Sequence, residues 1–331
     1  MRIDSWSSVL LAAVPASLFL LTGCAGSPHE PAEKYILVVD NQKIPYWQTA
    51  VQGLHRAAAE MKVKSELQGS DSHDPHGERE AFRRAVAEKP SGILVSPTDA
   101  ALLTPEINAA INQNIPVITI DSDAPESERL FFVGTDNYNT GLLGGKLAAK
   151  LLNGKGNVVF FTIEGQPNLK DRLHGYESAF ADHTDVKTMQ VVDMNGNSDI
   201  AFDSAKKMID SKAKVDAFIC LEALSCSAVA DVVNRSGMTG KVTMIAMDTD
   251  PGTVDWVNKG VISATIAQKP YTMAYYGTKL LDDLHHHPIT PWTGWDKKVY
   301  SPIPSFLDTG TFIVNKDNVG SLAQQPPSSG Q

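Results

Sequence analysis

The stretch Ile115-Pro-Val-Ile-Thr-Ile-Asp121-Ser-Asp-Ala-Pro125 constrains the fold more than any other. A β-branched run this short, apolar on both faces and closed by a carboxylate, reads as a strand buried inside a parallel sheet. Where the strand ends its hydrogen-bond ladder ends, so Asp121 points into the crevice where open α/β sheets bind ligands. The pattern recurs at residues 35–41, 92–99, 216–222 and 242–248. A single strand-end carboxylate is often only a helix cap or turn former. Recurrence predicts a shared polar crevice.

Between these runs lie helical patterns. In the first series, apolar spacing predicts helices over 48–61 and 78–88, and Thr104 followed by Pro105 reads as a cap and first helical position. A weaker strand is expected around 65–67. After residue 134 a second series predicts helices over 138–152, 169–180, 199–209, 227–234 and 253–258, with strands at 158–161, 186–192, 217–220, 242–246 and 263–267. Strand–helix alternation gives parallel sheets with right-handed crossovers and helices on both faces. There are too many strands for one compact sheet, so the fold class is α/β, in two doubly wound lobes. Gly141, Gly144 and Gly145 each cost up to about 1 kcal/mol in a helix relative to Ala, which predicts close packing there.

The first 24 residues stand outside this scheme. Arg2, an apolar stretch from Val9 to Leu21 and then Leu-Thr-Gly-Cys24 have the layout of a signal peptide too short for a comfortable membrane span. The tetrapeptide resembles a bacterial lipobox, which implies that Cys24 is lipidated; an uncleaved anchor with an ordinary thiol is the alternative. Residues 25–33 read as a linker and 320–331, rich in Pro and Ser, as a disordered tail. The net charge of -9, without clustered Lys and Arg, argues against a nucleic-acid partner.

No nucleophile elbow, Walker-type phosphate loop or His-Glu-x-x-His zinc motif is present, so neither a catalytic residue nor a cofactor is assigned. His285-His286-His287 before Pro288 read as a solvated helix end, and His73 and His76 as members of a polar loop, so no metal is assigned. For Cys220 and Cys226 a disulfide and two buried thiols are both open.

Four segments, Pro45-Tyr-Trp47, Val117 through Pro125, Gly134-Thr-Asp-Asn137 and Ala264-Thr-Ile-Ala-Gln-Lys-Pro270, carry in order and spacing a resemblance to type I periplasmic sugar-binding proteins of the ribose-binding family. That family is related to the sugar-sensing domains of lactose-repressor-type regulators. The resemblance implies a three-strand hinge joining lobe 1 (34–134 plus 269–300) to lobe 2 (135–268 plus 301–319). It also implies that Tyr46 and Trp47 sandwich a sugar ring, that Asp121 accepts from sugar hydroxyls, and that Asn137, Asp248 and Gln268 are further polar ligands. Arg172 falls where the family places an arginine, with Lys170 or Asn168 as the donor if the alignment slips, and Ser96 lines the first lobe's side. Ser122 replaces an arginine and Glu222 an asparagine of ribose binders, which disfavours ribose itself.

The function so implied is capture of a monosaccharide or related polyol by a monomer that closes around it and delivers it to the permease of an ABC importer. The protein would be held to a membrane through Cys24 in an extracytoplasmic compartment. Two alternatives stay open: a sensing lobe for a membrane kinase or chemoreceptor, and a carbohydrate-active enzyme, which would need two carboxyl groups astride the bond to be cut.

Overall fold

The computed structural model describes residues 29–288, 293–294, 301 and 303–324. The signal segment with Cys24, linker residues 25–28 and the tail beyond residue 324 lie outside the described residues.

Two sheets of six strands form, one from each series. The first contains β1 (Lys34–Asn41), β2 (Lys64–Ser70), β3 (Gly92–Val95), β4 (Val117–Ile120), β5 (Phe132–Gly134) and β11 (Phe306–Asp308), in the order β11-β5-β4-β3-β1-β2. The second contains β6 (Lys155–Thr162), β7 (Asp185–Asp193), β8 (Ala217–Cys220), β9 (Thr243–Met247), β10 (Ala264–Ala267) and β12 (Phe312–Val314), in the order β12-β10-β9-β8-β6-β7. The two orders are the same once each strand is matched to its counterpart. All pairs are parallel except β10 with β12. The inner strands β3, β4, β8 and β10 are buried at every residue, as their two-sided apolar sequences require.

Helices α1 (Pro45–Met61), α2 (Pro75–Ala87), α3 (Ala100–Asn112) and α9 (Pro270–His286) cover the first sheet. Helices α4 (Asn137–Leu151), α5 (Pro167–Ala181), α6 (Ser198–Asp210), α7 (Ala223–Arg235) and α8 (Pro251–Asn258) cover the second. Helix α3 starts earlier than expected. Asp99 caps it by accepting from Leu102 N at 2.9 Å, while Thr104 turns its hydroxyl back on Ala100 O and Pro105 sits inside the helix. Helix α7 also starts earlier, because Glu222 caps it. A short 3-10 helix at Val319–Gln324, with Leu322 against the lobe 2 core, occupies the first part of the expected tail.

The chain crosses between the lobes at Thr135–Asp136, at Gln268–Lys269 and between β11 and β12. The last crossing corrects one expectation: β11 pairs with β5, so residues 306–308 belong to lobe 1 and only the chain from β12 onward to lobe 2. The crossings are tied together, since Thr309 N donates to Gly134 O at 2.8 Å and Asp136 N to Asp308 Oδ1 at 3.2 Å.

The helical glycines do what their cost suggested. A Cβ on Gly141 of α4 would meet Arg172 O of α5 at 2.0 Å, and one on Gly175 would meet Tyr138 O at 2.2 Å. The two backbones therefore touch, which fixes the height of α5 over its sheet. We expect Gly141→Ala and Gly175→Ala each to destabilise the fold by about 1–3 kcal/mol through overpacking. In a thermal melt this lowers the midpoint by roughly 2–4 °C per kcal/mol; an unchanged midpoint would show that α4 and α5 have room to separate.

Candidate functional site

The strand order reverses at β1/β3 in the first sheet and at β6/β8 in the second, and at those points the C-terminal strand ends of the two lobes face each other. Between them lies a cavity of ≈ 90 Å³, partly open to solvent. Lobe 1 lines it with Asp40, Tyr46, Trp47, Ser96, Asp121 and Ser122, and lobe 2 with Asn168, Leu169, Arg172, Glu222, Leu224 and Asp248; Gln268 enters from the hinge.

Asp121 and Asp248 occupy equivalent places, one residue past β4 and β9. Both have left-handed backbones, φ 62° and 64°, and both are buried, whereas every other described non-glycine residue with positive φ is exposed. At Asp121 the chain folds so tightly that Ser122 N donates to Ile120 O at 2.6 Å. Such geometry costs of order 1–3 kcal/mol and persists where the surroundings over-determine it. Here it turns each carboxylate off its strand and into the cavity.

Helix α5 supplies the opposing donors. Asn168 and Arg172 are four residues apart and so share a face. Asn168 Nδ2 donates across the cleft to Asp121 Oδ2 at 3.3 Å, closing the lobes on each other. The guanidinium of Arg172, 1% exposed, donates to Leu221 O, to Asn137 Oδ1 at 2.5 Å and to Gln268 Oε1 at 3.1 Å. Its buried Nε–H has no hydrogen-bond partner among the described residues. Gln268 passes the contact on, because its Nε2 lies 3.3 and 3.2 Å from the two oxygens of Asp248 and its backbone N donates to Asp248 Oδ1 at 3.1 Å.

Burial dominates the electrostatics. It raises the Asp121 carboxyl above its ordinary value, against the hydrogen bond from Tyr46 and the nearby charge of Arg172. It raises Asp248 to about 7, again opposed by Arg172. The Tyr46 phenol is pushed well up by burial and by Asp121, so it stays protonated and donates to Asp121 Oδ1 at 2.5 Å. Ser96 lies near enough to Asp121 to favour its ionised form as well.

Several sequence expectations change. Lys170 is exposed and off the cavity, since two residues of helix turn it away from Asn168 and Arg172. Asn137 is drawn from the cavity to hold Arg172 and Thr135 O. The Glu222 carboxylate is spent on its own helix, accepting from Leu224 N, Ser225 N and Ser225 Oγ, so it rims the cavity as a cap and adds no free acceptor. Tyr46 and Trp47 meet edge to face, ring centroids 5.0 Å apart and planes at 86°, so they do not form two parallel walls around a ring. Cys220 and Cys226 are free thiols, because the first turn of α7 aims Cys226 Sγ at Glu222 O, 3.0 Å away.

Two residues were missed. His73 Nδ1 lies 2.7 Å from Asp40 Oδ2, and both line the cavity. Gly196 of lobe 2 packs directly on His73, at 2.3 Å from a would-be Cβ, so this pair marks the closed mouth of the cleft. Asp40 carried the repeated strand-end signal; His73 follows β2 in a loop with no periodicity to flag it.

A family model described as "Periplasmic binding protein domain" matches residues 35–286. Among solved structures, a sugar ABC transporter sugar-binding protein from Bacillus halodurans is 31% identical, with TM-score 0.77, covering 87% of this chain and 99% of its own. AraP, an arabinose-binding protein from Geobacillus stearothermophilus, is 30% identical, with TM-score 0.74, covering 87% and 98%. The D-allose-binding periplasmic protein of Escherichia coli K12 is 24% identical over 263 residues, 76% of this chain and 84% of its own. Paired lobes, matched strand orders and a cleft ringed by strand ends are thus accompanied by sequence similarity along most of the fold, and the chain belongs to the periplasmic binding protein family.

Proposed function

We propose that this protein is the extracytoplasmic binding component of an ABC importer and captures one neutral, hydroxyl-rich molecule, a monosaccharide or related polyol, in the interlobe cleft. One observation carries the reading: two buried, conformationally strained carboxylates, one from each lobe, face a common cavity. An ionised carboxylate only accepts hydrogen bonds, and a sugar hydroxyl offers a donor without a charge to neutralise. Arg172 Nε supplies a donor in return, and Trp47 an apolar surface for C–H faces. The similarity to arabinose- and allose-binding proteins supports this ligand class.

Capture requires no chemistry. A ligand bonded to both Asp121 and Asp248 stabilises only the conformation that brings them together, so it shifts the population toward the closed form. We further propose that the protein acts as a monomer and that Cys24 is lipidated, which holds the lobes near the membrane where a permease would collect the ligand. Cys24→Ser is then expected to move the protein from the membrane fraction to the soluble one and to abolish incorporation of labelled palmitate; a variant still labelled and membrane-bound rules out this anchor.

A thermal-shift panel of pentoses, hexoses, polyols and amino sugars tests the ligand class, because a ligand at 100 times its dissociation constant adds about 2.7 kcal/mol. Asp121→Asn and Asp248→Asn should each abolish the response while leaving the unliganded melt unchanged or higher, since asparagine tolerates the left-handed backbone and removes a buried charge. A wild-type response in either variant places that residue outside the site.

Asp248 also sets a pH dependence. Its folded value of about 7 lies above the unfolded value of about 3.9, so the unliganded protein binds this proton more tightly when folded. Its contribution to stability is full below about pH 4 and is lost as pH rises through about 7. Ligand hydroxyls donating to the carboxylate favour the ionised form, so affinity should rise from pH 6 to pH 8 with proton release. Calorimetry in buffers of different ionisation enthalpy measures both; a flat wild-type profile would exclude hydroxyl donation to Asp248.

A further inference from the structure

At the far end of the first sheet from the cleft, four side chains with metal-binding atoms converge. His29 precedes β1, Glu33 immediately abuts it, and Asp282 and His286 are one turn apart on α9. His29 Nε2 lies 3.0 Å from Asp282 Oδ2, and His286 Nε2 lies 3.3 Å from Glu33 Oε2 and 3.7 Å from Asp282 Oδ1. One ligand atom from each residue falls within 4.8 Å of all the others. A tetrahedral ion with bonds of 2.0–2.2 Å sets its ligand atoms roughly 3.3–3.6 Å apart, so small rotamer adjustments close the four onto one centre.

The remaining carboxylate atoms are already held. Tyr35 OH donates to Asp282 Oδ1 at 2.9 Å, and Glu30 N donates to Glu33 Oε1 at 2.6 Å. Each carboxylate thus has one oxygen fixed by the protein and the other turned toward an imidazole, the outer-shell arrangement that orients metal ligands. The cluster is sheltered as well: Glu33 is 6% exposed, and the rings of His29 and His286 meet edge to face at 5.0 Å. His286 is half-buried and turned toward Glu33 and Asp282, while His285 and His287 are exposed.

We propose that His29, Glu33, Asp282 and His286 form a binding site for one divalent transition-metal ion of the zinc class. Two imidazoles select against calcium and magnesium, which take oxygen ligands, and two carboxylates neutralise the ion's charge. The ion would fasten the segment entering lobe 1 to the last turn of α9. That segment leads from the N-terminal region, so the site fixes how the binding lobes leave it, and it does so without touching the cleft.

The test uses the full-length protein, purified in detergent without a polyhistidine tag, stripped with EDTA and titrated with zinc in a calorimeter. One ion per chain and a higher melting midpoint are expected. His29→Ala/His286→Ala should weaken uptake at least tenfold, while His285→Ala/His287→Ala keeps it. If the double variant does not fold, His29→Ala alone replaces it, since His29 lies outside every helix and strand. No saturable uptake by the wild type, undiminished uptake in the His29/His286 variant, or equal loss in the His285/His287 variant overturns the site.

Discussion

The cleft is organised around a single buried guanidinium. Arg172 has lost its water, and an uncompensated charge in that setting would be several kcal/mol unfavourable. Its environment is therefore a set of forced moves: Leu221 O at a strand end, Asn137 at the start of α4 and Gln268 at a hinge crossing each spend an acceptor on it. The two strand-end aspartates supply the balancing charge without a direct salt bridge to it. Remove the arginine and those carboxylates would face each other across a low-dielectric gap, favouring protonation or an opened cleft.

That arrangement couples the site to the hinge. Gln268 touches Arg172 through its oxygen and Asp248 through its nitrogen, and it is the first residue of one of the crossings between lobes. Asn137, the other side-chain acceptor, follows the Thr135–Asp136 crossing. Two of the crossings between the lobes are thereby tied into the polar network around Arg172. The α4–α5 glycine contact holds the opposite side of Arg172 fixed, because α5 cannot lift from α4 without losing backbone-level packing. The pair α4–α5 is thus one tightly packed unit of lobe 2 beneath Arg172.

Much of this was legible in the sequence. Short two-sided apolar runs ended by polar residues specified parallel strands and where their ends would lie, which singled out Asp121 and Asp248 as strand-end acids, whereas the crossings near residues 135 and 268 were implied by the family resemblance. The errors share a physical cause. Glu222 and Asp121 look alike as strand-end acids, yet Glu222 is followed at once by a helix whose free N–H groups claim its oxygens, whereas Asp121 leads into a tight turn and then a loop closed by the bidentate Asp123–Arg129 pair. Periodicity does not show which donors a strand-end carboxylate takes, its own helix for Glu222 and, for Asp121, Tyr46 and Asn168 from across the cleft. Nor does it show that two strands near the C-terminus, three residues apart, join different sheets.

The duplicated geometry bears on specificity. Matching left-handed aspartates make the cleft nearly symmetric in its acceptors, but its donors and apolar surfaces are not shared equally. Arg172 and Asn168 both stand on lobe 2, while Trp47 and Tyr46 both stand on lobe 1, opposite aliphatic Leu169 and Leu224. A guest bonded to both carboxylates would meet Arg172 and Asn168 on one side and Tyr46 and Trp47 on the other. A cation would gain from the carboxylates but would bring its charge against Arg172, and an anion would meet two buried acids. A neutral molecule with hydroxyls on opposite edges meets neither penalty, so the charges lining the cavity favour the hydroxyl-rich guest proposed above.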